Sequence, residues 1–317
     1  MVASPFSVVF FGTPDFAVPT LIALLRSRHS VAGVVTQPDR PRGRGHRTTA
    51  APVKALAASA GVPILQPERL KDEEFLERLT ALDADVGVVA AYGKILTERV
   101  LAVPRQGMIN VHASLLPRHR GAAPVHRAVI AGERETGVTI MRIVKALDAG
   151  PVLATDRRPI GDDETSDEVE RDLARIGAAL LVATLDQIAA GDVSETPQDE
   201  GQATYAHRLT KDDGRIDWHW QAERIHNLIR GLHPWPHAFT FLGDRRLILR
   251  RSHWSPEQAA DEAAGAVIQA SGDRLAVATG SGILDIIEIQ SEGKRPMGVR
   301  EFLAGHHVVR GERFGVS

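Results

Sequence analysis

The first 190 residues of the chain alternate short apolar runs with stretches of helical periodicity. The apolar runs are typical of buried strands and cover residues 6–11, 31–36, 63–65, 85–91, 107–112, 138–143 and 152–160. Helical periodicity is found at residues 16–26, 53–60, 72–82, 122–131 and 165–190. Strands that alternate with helices build a mostly parallel sheet with helices on both faces. We therefore predict a Rossmann-like α/β domain for residues 1–190.

Residues 191–207 interrupt this alternation. The stretch is polar and contains Gly, Pro, Ser, Asp and Gln, as expected of a linker. Beyond it, a helical stretch at 221–231 precedes strand-like runs at 238–242, 246–252, 266–270, 274–278 and 284–289. Short strands separated by turn residues favour a small antiparallel barrel. The sequence thus predicts a smaller β-barrel domain, similar to the oligonucleotide-binding (OB) fold, over residues 208–317.

The composition excludes several kinds of site. The chain has no cysteine, which rules out disulfides, thiolate metal ligands and cysteine nucleophiles. No His-Glu-x-x-His run or comparable metal-ligand pattern occurs. No basic segment precedes the first apolar run, and no apolar run approaches the ~20 residues of a membrane span. We expect a cytoplasmic protein without a metal or a membrane partner.

Polar side chains gather at the ends of predicted strands. Asn110 and His112 close the strand 107–112, and the pleat directs both to the same face. Asp148 lies in a turn beside another predicted strand. Strand ends of open α/β sheets are where such folds place their sites. An amide that donates to an oxyanion, an imidazole that moves a proton and a carboxylate that orients the imidazole could together perform acyl transfer without a covalent intermediate.

Each of these residues also has a purely structural interpretation. Asn and His at a strand end commonly cap a turn or hydrogen-bond the backbone, and a single Asp is commonly a turn residue. From the spacing alone, both interpretations stay open.

A second feature is a basic loop, which carries Arg40, Arg42, Arg44, Arg47 and Lys54. No acidic residue occurs between positions 40 and 54, and the glycines at 43 and 45 permit close approach to a phosphate. The formal net charge of the chain is −2, so contact with RNA would require a local patch of this kind. A solvated loop or a nucleotide-phosphate site would explain the same residues.

Four short motifs occur together between positions 110 and 150: Asn110-Val111-His112, Ser114-Leu115-Leu116-Pro117, Arg120-Gly121 and Leu147-Asp148-Ala149-Gly150. This combination resembles the signature of the folate-dependent formyltransferases. The resemblance implies 10-formyltetrahydrofolate as the formyl donor and a reaction without a metal. It also implies that Asn110, His112 and Asp148 are the catalytic residues.

The same resemblance implies where the folate lies. One part of its site would be the loop formed by Ser114, Leu115, Leu116 and Pro117. The other would be a pterin pocket bordered by the apolar run that contains Val89 and Tyr92.

Further stretches resemble those family members that formylate the methionine carried by initiator tRNA. These stretches span most of the chain, at residues 10–16, 36–45, 211–218 and 229–236. Their resemblance implies initiator methionyl-tRNA as the partner, held by the barrel domain and by a loop containing Arg40, Arg42, Arg44 and Arg47. Residues 46–51 depart from the family pattern, in which a lysine-rich stretch and then a Pro-Ser pair are expected. We expect the protein to be a monomer.

Three other functions stay open on the sequence alone. A formyltransferase acting on a small amine, such as a nucleotide-linked amino sugar or a purine precursor, would use the same three residues. A hydrolase would transfer the formyl group to water. A tRNA-binding protein without catalysis would leave the joint occurrence of Asn110, His112 and Asp148 unexplained.

Overall fold

The computed structural model describes residues 4–39, 41–42, 47–48, 50–257 and 262–315, which form two compact units. The first unit consists of the described residues up to Pro124, with Thr136–Arg158 and Glu170–Ala206. The second consists of Val125–Glu135, Pro159–Val169 and the described residues from His207 onward. Two short segments of the first 190 residues thus lie in the second unit. The stretch predicted to be a linker lies, up to Ala206, in the first.

The first unit is built on a seven-stranded sheet. The strands up to Ala206 are β1 (Ser7–Gly12), β2 (Ser30–Val35), β3 (Pro41–Arg42), β4 (Arg47–Thr48), β5 (Ile64–Leu65), β6 (Val86–Ala90), β7 (Met108–His112), β8 (Arg120–Gly121), β9 (Glu135–Arg142), β10 (Val152–Pro159) and β11 (Tyr205–Ala206). The sheet order is β10-β9-β7-β6-β1-β2-β5. Strands β5, β2, β1, β6 and β7 are parallel, whereas β9 is antiparallel to β7. The predicted Rossmann-like, mostly parallel sheet is confirmed.

Six helices of the described residues follow the predicted periodic stretches, whereas the short helices Glu98–Leu101 and Val299–Gly305 were not predicted. Within the described residues the helices are α1 (Val18–Arg26), α2 (Pro52–Ser59), α3 (Glu73–Thr80), α4 (Glu98–Leu101), α5 (Pro124–Ile130), α6 (Ser166–Ala190), α7 (Ala222–Gly231) and α8 (Val299–Gly305). Helix α3 illustrates why they form. Phe75, Leu76 and Leu79 are buried on one face, and acidic residues in its first turn complement the helix dipole.

The core of the first unit is centred on β1. Val8, Val9, Phe10 and Phe11 are all fully buried, so both faces of this strand are covered. Burial on both faces is typical of a central strand in a parallel sheet. Each such side chain contributes about 1.5–3 kcal/mol relative to an exposed one. The sheet that carries the polar strand ends therefore has a buried, apolar central strand.

Helix α6 is, among the described residues, the one helix with the length and hydropathy of a membrane span. Part of its apolar surface within the first unit is nevertheless buried in the protein, at Leu173, Ala174, Ala178, Leu181 and Leu185. At Gly177 a Cβ atom would lie 2.7 Å from Cγ1 of Val111 and 3.1 Å from Cγ1 of Val138. The glycine thus permits close packing of α6 against β7 and β9, as in a core helix of a globular protein.

The second unit contains an antiparallel sheet. Its strands are β12 (Ala238–Leu242), β13 (Arg245–Ser255), β14 (Val267–Ser271), β15 (Arg274–Ala278), β16 (Ile283–Ser291) and β17 (Met297–Gly298). The sheet order is β12-β13-β16-β15-β14, with β17 paired to β16. The alternating burial of β12 shows that one face of the sheet is turned to a core.

Residues near position 314 join the two ends of this sheet. Phe314 bridges Leu242 at the end of β12, and its N–H donates to the Gly265 carbonyl oxygen, just before β14, at 2.8 Å. The Gly315 N–H donates to the Phe241 carbonyl oxygen, also at 2.8 Å. Pairing of both edge strands removes the open edges of a sheet and closes it. The predicted small barrel is confirmed.

Candidate active site

Strand β7 delivers Asn110 and His112 to one face of the sheet. Asn110 lies opposite Val89 of β6 and Met141 of β9, and His112 lies opposite Thr139. Ile109 is fully buried, Asn110 is half-buried and the His112 side chain is 6% exposed. Residues two apart in a strand are separated by about 6.6 Å, within the span of one small substrate group. The strand therefore presents an amide and an imidazole side by side.

Asp148 lies beside His112. Its Oδ2 atom lies 3.8 Å from His112 Nδ1 and accepts a 2.8 Å hydrogen bond from the Gly121 N–H. The backbone at Asp148 has φ = 47°, in the left-handed region that Asp tolerates better than most residues. The carboxylate is 17% exposed, so its charge is held at the rim of the site beside the imidazole.

The hydrogen bond at the other ring nitrogen defines the protonation of His112. Its Nε2 lies 3.0 Å from the His119 carbonyl oxygen. Because a carbonyl oxygen only accepts, Nε2 must carry the proton in this contact. In the neutral ring the free lone pair is then on Nδ1, which faces Asp148. A proton taken up at Nδ1 would form an imidazolium stabilised by the adjacent carboxylate.

The loop after β7 is held by internal hydrogen bonds. The Ser114 side chain is fully buried, and its hydroxyl donates to the Arg118 carbonyl oxygen at 2.6 Å. Thr139 donates to the Ser114 carbonyl oxygen at 2.7 Å and accepts from the Leu116 N–H at 3.2 Å. The Leu116–Pro117 peptide is cis. Leu115 and Pro117 are half-buried, so these two side chains offer the accessible apolar surface of the loop.

Val89 and Tyr92 belong to the hydrophobic core. Val89 is 9% exposed and Tyr92 only 2%, and the Tyr92 ring packs edge-on against Phe11. Burial raises the pKa of the Tyr92 phenol to about 12. Its carbonyl oxygen accepts from Gln37 Nε2 at 2.8 Å. The structure thus places both side chains behind the surface, and their predicted contact with a pterin ring stays a prediction.

The structure describes part of the basic loop. Arg40 and Arg44 lie outside the described residues, whereas Arg42 and Arg47 are opposite each other in the antiparallel pair β3–β4. Lys54 donates a hydrogen bond to the Asp39 carboxylate, which lowers the pKa of that carboxyl group. Lys54 is therefore already paired, and the predicted phosphate contacts concern the arginines alone.

Gln198 is the residue at this site that the sequence did not indicate. It lies in the predicted linker, yet its side-chain amide donates to the carbonyl oxygens of Asp148 and Gly150. No periodicity or motif marks a glutamine in a polar stretch as part of a distant turn. Among the described residues, no group of three or more His, Asp or Glu side chains could hold a metal ion.

The class of protein follows from its similarity to known proteins. The chain matches the Formyl transferase family over residues 6–185 and the Formyl transferase, C-terminal domain family over residues 208–307. The solved structure of an N-formyltransferase from Helicobacter canadensis, in complex with folinic acid and dTDP-3-aminofucose, shares the fold. It superposes with a TM-score of 0.68 at 16% identity, covering 88% of this chain and 98% of that chain.

Relatives with higher sequence identity show which formyltransferases the chain belongs to. The methionyl-tRNA formyltransferase of Moorella thermoacetica is 46% identical over 97% of this chain and 99% of its own length. That of Methylococcus capsulatus is 47% identical, again over 97% of this chain and 99% of the relative. The chain belongs to the methionyl-tRNA formyltransferase family, and the predicted family resemblance is confirmed.

Proposed function

We propose that the protein transfers the formyl group of 10-formyltetrahydrofolate to the amino group of methionyl-initiator tRNA. The observation that carries this proposal is the pairing of His112 with Asp148 beside Asn110 at the end of β7. It occurs in a chain that aligns along nearly its whole length with methionyl-tRNA formyltransferases. The product would be formylmethionyl-tRNA for translation initiation.

The proposed reaction needs no covalent enzyme intermediate. The amino nitrogen of methionine attacks the formyl carbon, and the amide of Asn110 donates to the oxygen as it becomes an oxyanion. The amine proton passes to Nδ1 of His112, while Asp148 stabilises the imidazolium. The bond from the formyl carbon to the folate nitrogen then breaks, that nitrogen takes up the proton, and tetrahydrofolate leaves.

We assign the two substrates to different parts of the chain. Folate would bind against the loop Ser114–Pro117 in the region 1–190, where Leu115 and Pro117 are accessible. The tRNA would be held by the basic loop and by the barrel region 208–317, joined through 191–207. The half-buried Asn110 and the rim position of Asp148 support access to the strand end by a large substrate. We propose that the protein acts as a cytoplasmic monomer.

One assay tests the function against its alternatives. Purified protein is incubated with 10-formyltetrahydrofolate and methionyl-initiator tRNA, and in parallel with methionyl-elongator tRNA, with small amines or with no acceptor. We expect formylation of the initiator tRNA far above all other arms. Tetrahydrofolate release without an acceptor would indicate a hydrolase, and preferred formylation of a small amine would indicate the other formyltransferases. tRNA binding without formyl transfer would overturn the enzymatic proposal.

Metal chelation should leave this activity intact. An amide, an imidazole and a carboxylate suffice for the proposed transfer, because no Lewis acid is needed to polarise a formyl group held by an oxyanion donor. The measurement is the formylation rate before and after exhaustive dialysis against a chelator. A rate that is lost on chelation and recovered with zinc would contradict the mechanism.

Replacing Arg44 with alanine should weaken tRNA binding and reduce its dependence on salt. Each phosphate contact releases counterions. The slope of log affinity against log salt concentration should therefore flatten by about one unit per lost contact. Folate affinity should hardly change. The measurement is tRNA affinity across a salt series for the wild type and Arg44→Ala, with Arg78→Ala as a control.

Arg78 is a suitable control because it is an exposed arginine on α3, away from the basic loop in sequence. Its removal should leave the slope unchanged. If Arg44→Ala keeps the wild-type slope and instead weakens folate binding, the basic loop belongs to the donor site. The tRNA assignment would then rest on the barrel region alone.

A further inference from the structure

We infer that Gln198 is a positioning residue for Asp148 and that buried Arg120 fixes the orientation of Gln198. This inference rests on the proposed function, since it concerns how the carboxylate beside His112 is held. Gln198 is half-buried and belongs to the stretch between α6 and β11. That stretch therefore contributes to the site of the first unit.

Gln198 holds the turn of Asp148 by its main chain. Its Nε2 donates to the Asp148 carbonyl oxygen at 2.8 Å and to the Gly150 carbonyl oxygen at 2.7 Å. Both amide hydrogens are thus used on the carbonyl groups of the two residues that flank Ala149. Asp148 has a left-handed backbone conformation, which persists only when the surroundings support it. These two hydrogen bonds provide such support.

Arg120 dictates which way the amide of Gln198 faces. Its Nε and Nη2 donate to Gln198 Oε1 at 3.0 and 2.8 Å. A guanidinium only donates and the two carbonyl oxygens only accept, so a flipped amide would lose all four contacts. The side chain of Arg120 is 2% exposed, which makes an unpaired orientation costly. The amide therefore has a single satisfied arrangement.

The same segment also holds the carboxylate of Asp148. Gly121, which follows Arg120 in β8, donates its N–H to Asp148 Oδ2 at 2.8 Å. Strand β8 pairs in parallel with β11, and Glu200 forms a two-pronged ion pair with Arg120 at 2.8–2.9 Å. Main chain and carboxylate of Asp148 are thus fixed from one connected group of residues. This group sets the 3.8 Å separation from His112.

Loss of this support should affect turnover more than binding. In well-packed active sites, a displacement of about 1 Å can cost up to about 10²-fold in rate. We expect Gln198→Ala to lower kcat by about 10- to 100-fold, with the KM values for folate and tRNA little changed. Gln202→Ala is the matched control, because Gln202 is exposed and its side chain donates to Asp199 rather than to the turn of Asp148. It should keep the wild-type kcat.

Gln198→Glu separates the hydrogen bonds that Gln198 accepts from Arg120 from those that it donates to the turn of Asp148. A glutamate can still accept from Arg120, but it has no hydrogen to donate to the carbonyl oxygens of Asp148 and Gly150. We expect it to be as impaired as Gln198→Ala. A fully active Gln198→Glu would mean that residue 198 merely neutralises Arg120, and the inference would be wrong.

A double-mutant cycle with Asp148→Asn tests whether Gln198 acts through Asp148. If it does, Gln198→Ala should have almost no further effect on kcat when the carboxylate is already absent. An undiminished effect in that background would show a general role in folding and overturn the inference. If the wild type is active and the single variant Gln198→Ala has a normal kcat, the inference is also wrong. A wild type that does not formylate tRNA would instead overturn the proposed function.

Discussion

Replacing His112 with alanine should lower turnover by about 10²–10⁴, the usual range for the loss of a general acid–base group. The imidazole is nearly buried, with Nε2 bound to the His119 carbonyl oxygen and Nδ1 left free beside Asp148. Without the ring, the attacking amine has no base at the position where a carboxylate can stabilise the resulting cation. The loss should therefore appear in kcat when both substrates are saturating.

Single-turnover formylation by the wild type and by His112→Ala measures this effect directly. His307→Ala is the control, since His307 is an exposed histidine just beyond α8. Circular dichroism should show that both variants remain folded. A folded His112→Ala with near-normal kcat would remove this residue from the proposed mechanism.

Replacing Asn110 with alanine should lower turnover by about 10²–10³, the cost of losing one oxyanion donor, or about 2.7–4 kcal/mol of transition-state stabilisation. Asn110 is half-buried on the same face of β7 as His112. Its neighbours Ile109 and Val111 fill the opposite face of the strand and are buried. Truncation at position 110 should thus spare the packing of the sheet and affect mainly the reaction.

Asn110→Asp makes the test specific to hydrogen-bond donation. Aspartate has nearly the shape of asparagine, yet when ionised it only accepts, and it would repel a developing oxyanion. We expect it to be at least as slow as Asn110→Ala in kcat at saturating substrates. If Asn110→Asp formylates at close to the wild-type rate, donation from position 110 plays no part in catalysis.

Local patterns are sufficient to predict most elements of the fold. The strand predicted at 107–112 is Met108–His112, and the helix predicted at 165–190 is Ser166–Ala190. The strand is a short run that is buried on both faces, and the helix is long enough for burial to repeat with the helical period. A sequence displays both patterns directly. The alternation of a pleated strand likewise predicts that Asn110 and His112 share one face, because they are two positions apart.

Contacts between distant segments cannot be predicted in this way. The pairing of β8 with β11 joins two-residue strands that are about 85 positions apart. The closure of the barrel depends on single bridges made by residues 313 and 314. Gln198 reaches Asp148 through a side-chain amide and a backbone carbonyl, and neither group leaves a periodic signal. The polar composition of residues 191–207 is common to loops of every kind. It therefore does not distinguish a linker from a loop that contacts a site.

The packing of α6 on β7 affects both the stability of the protein and the position of its functional groups. Gly177 lies against Val111, and Val111 stands between Asn110 and His112 on the opposite face of the same strand. A Cβ atom at position 177 would lie only 2.7 Å from Cγ1 of Val111, so either this side chain or the strand that carries both functional groups would have to move. Adaptation or engineering of this helix is therefore constrained by the reaction rate, although none of its residues has to touch a substrate.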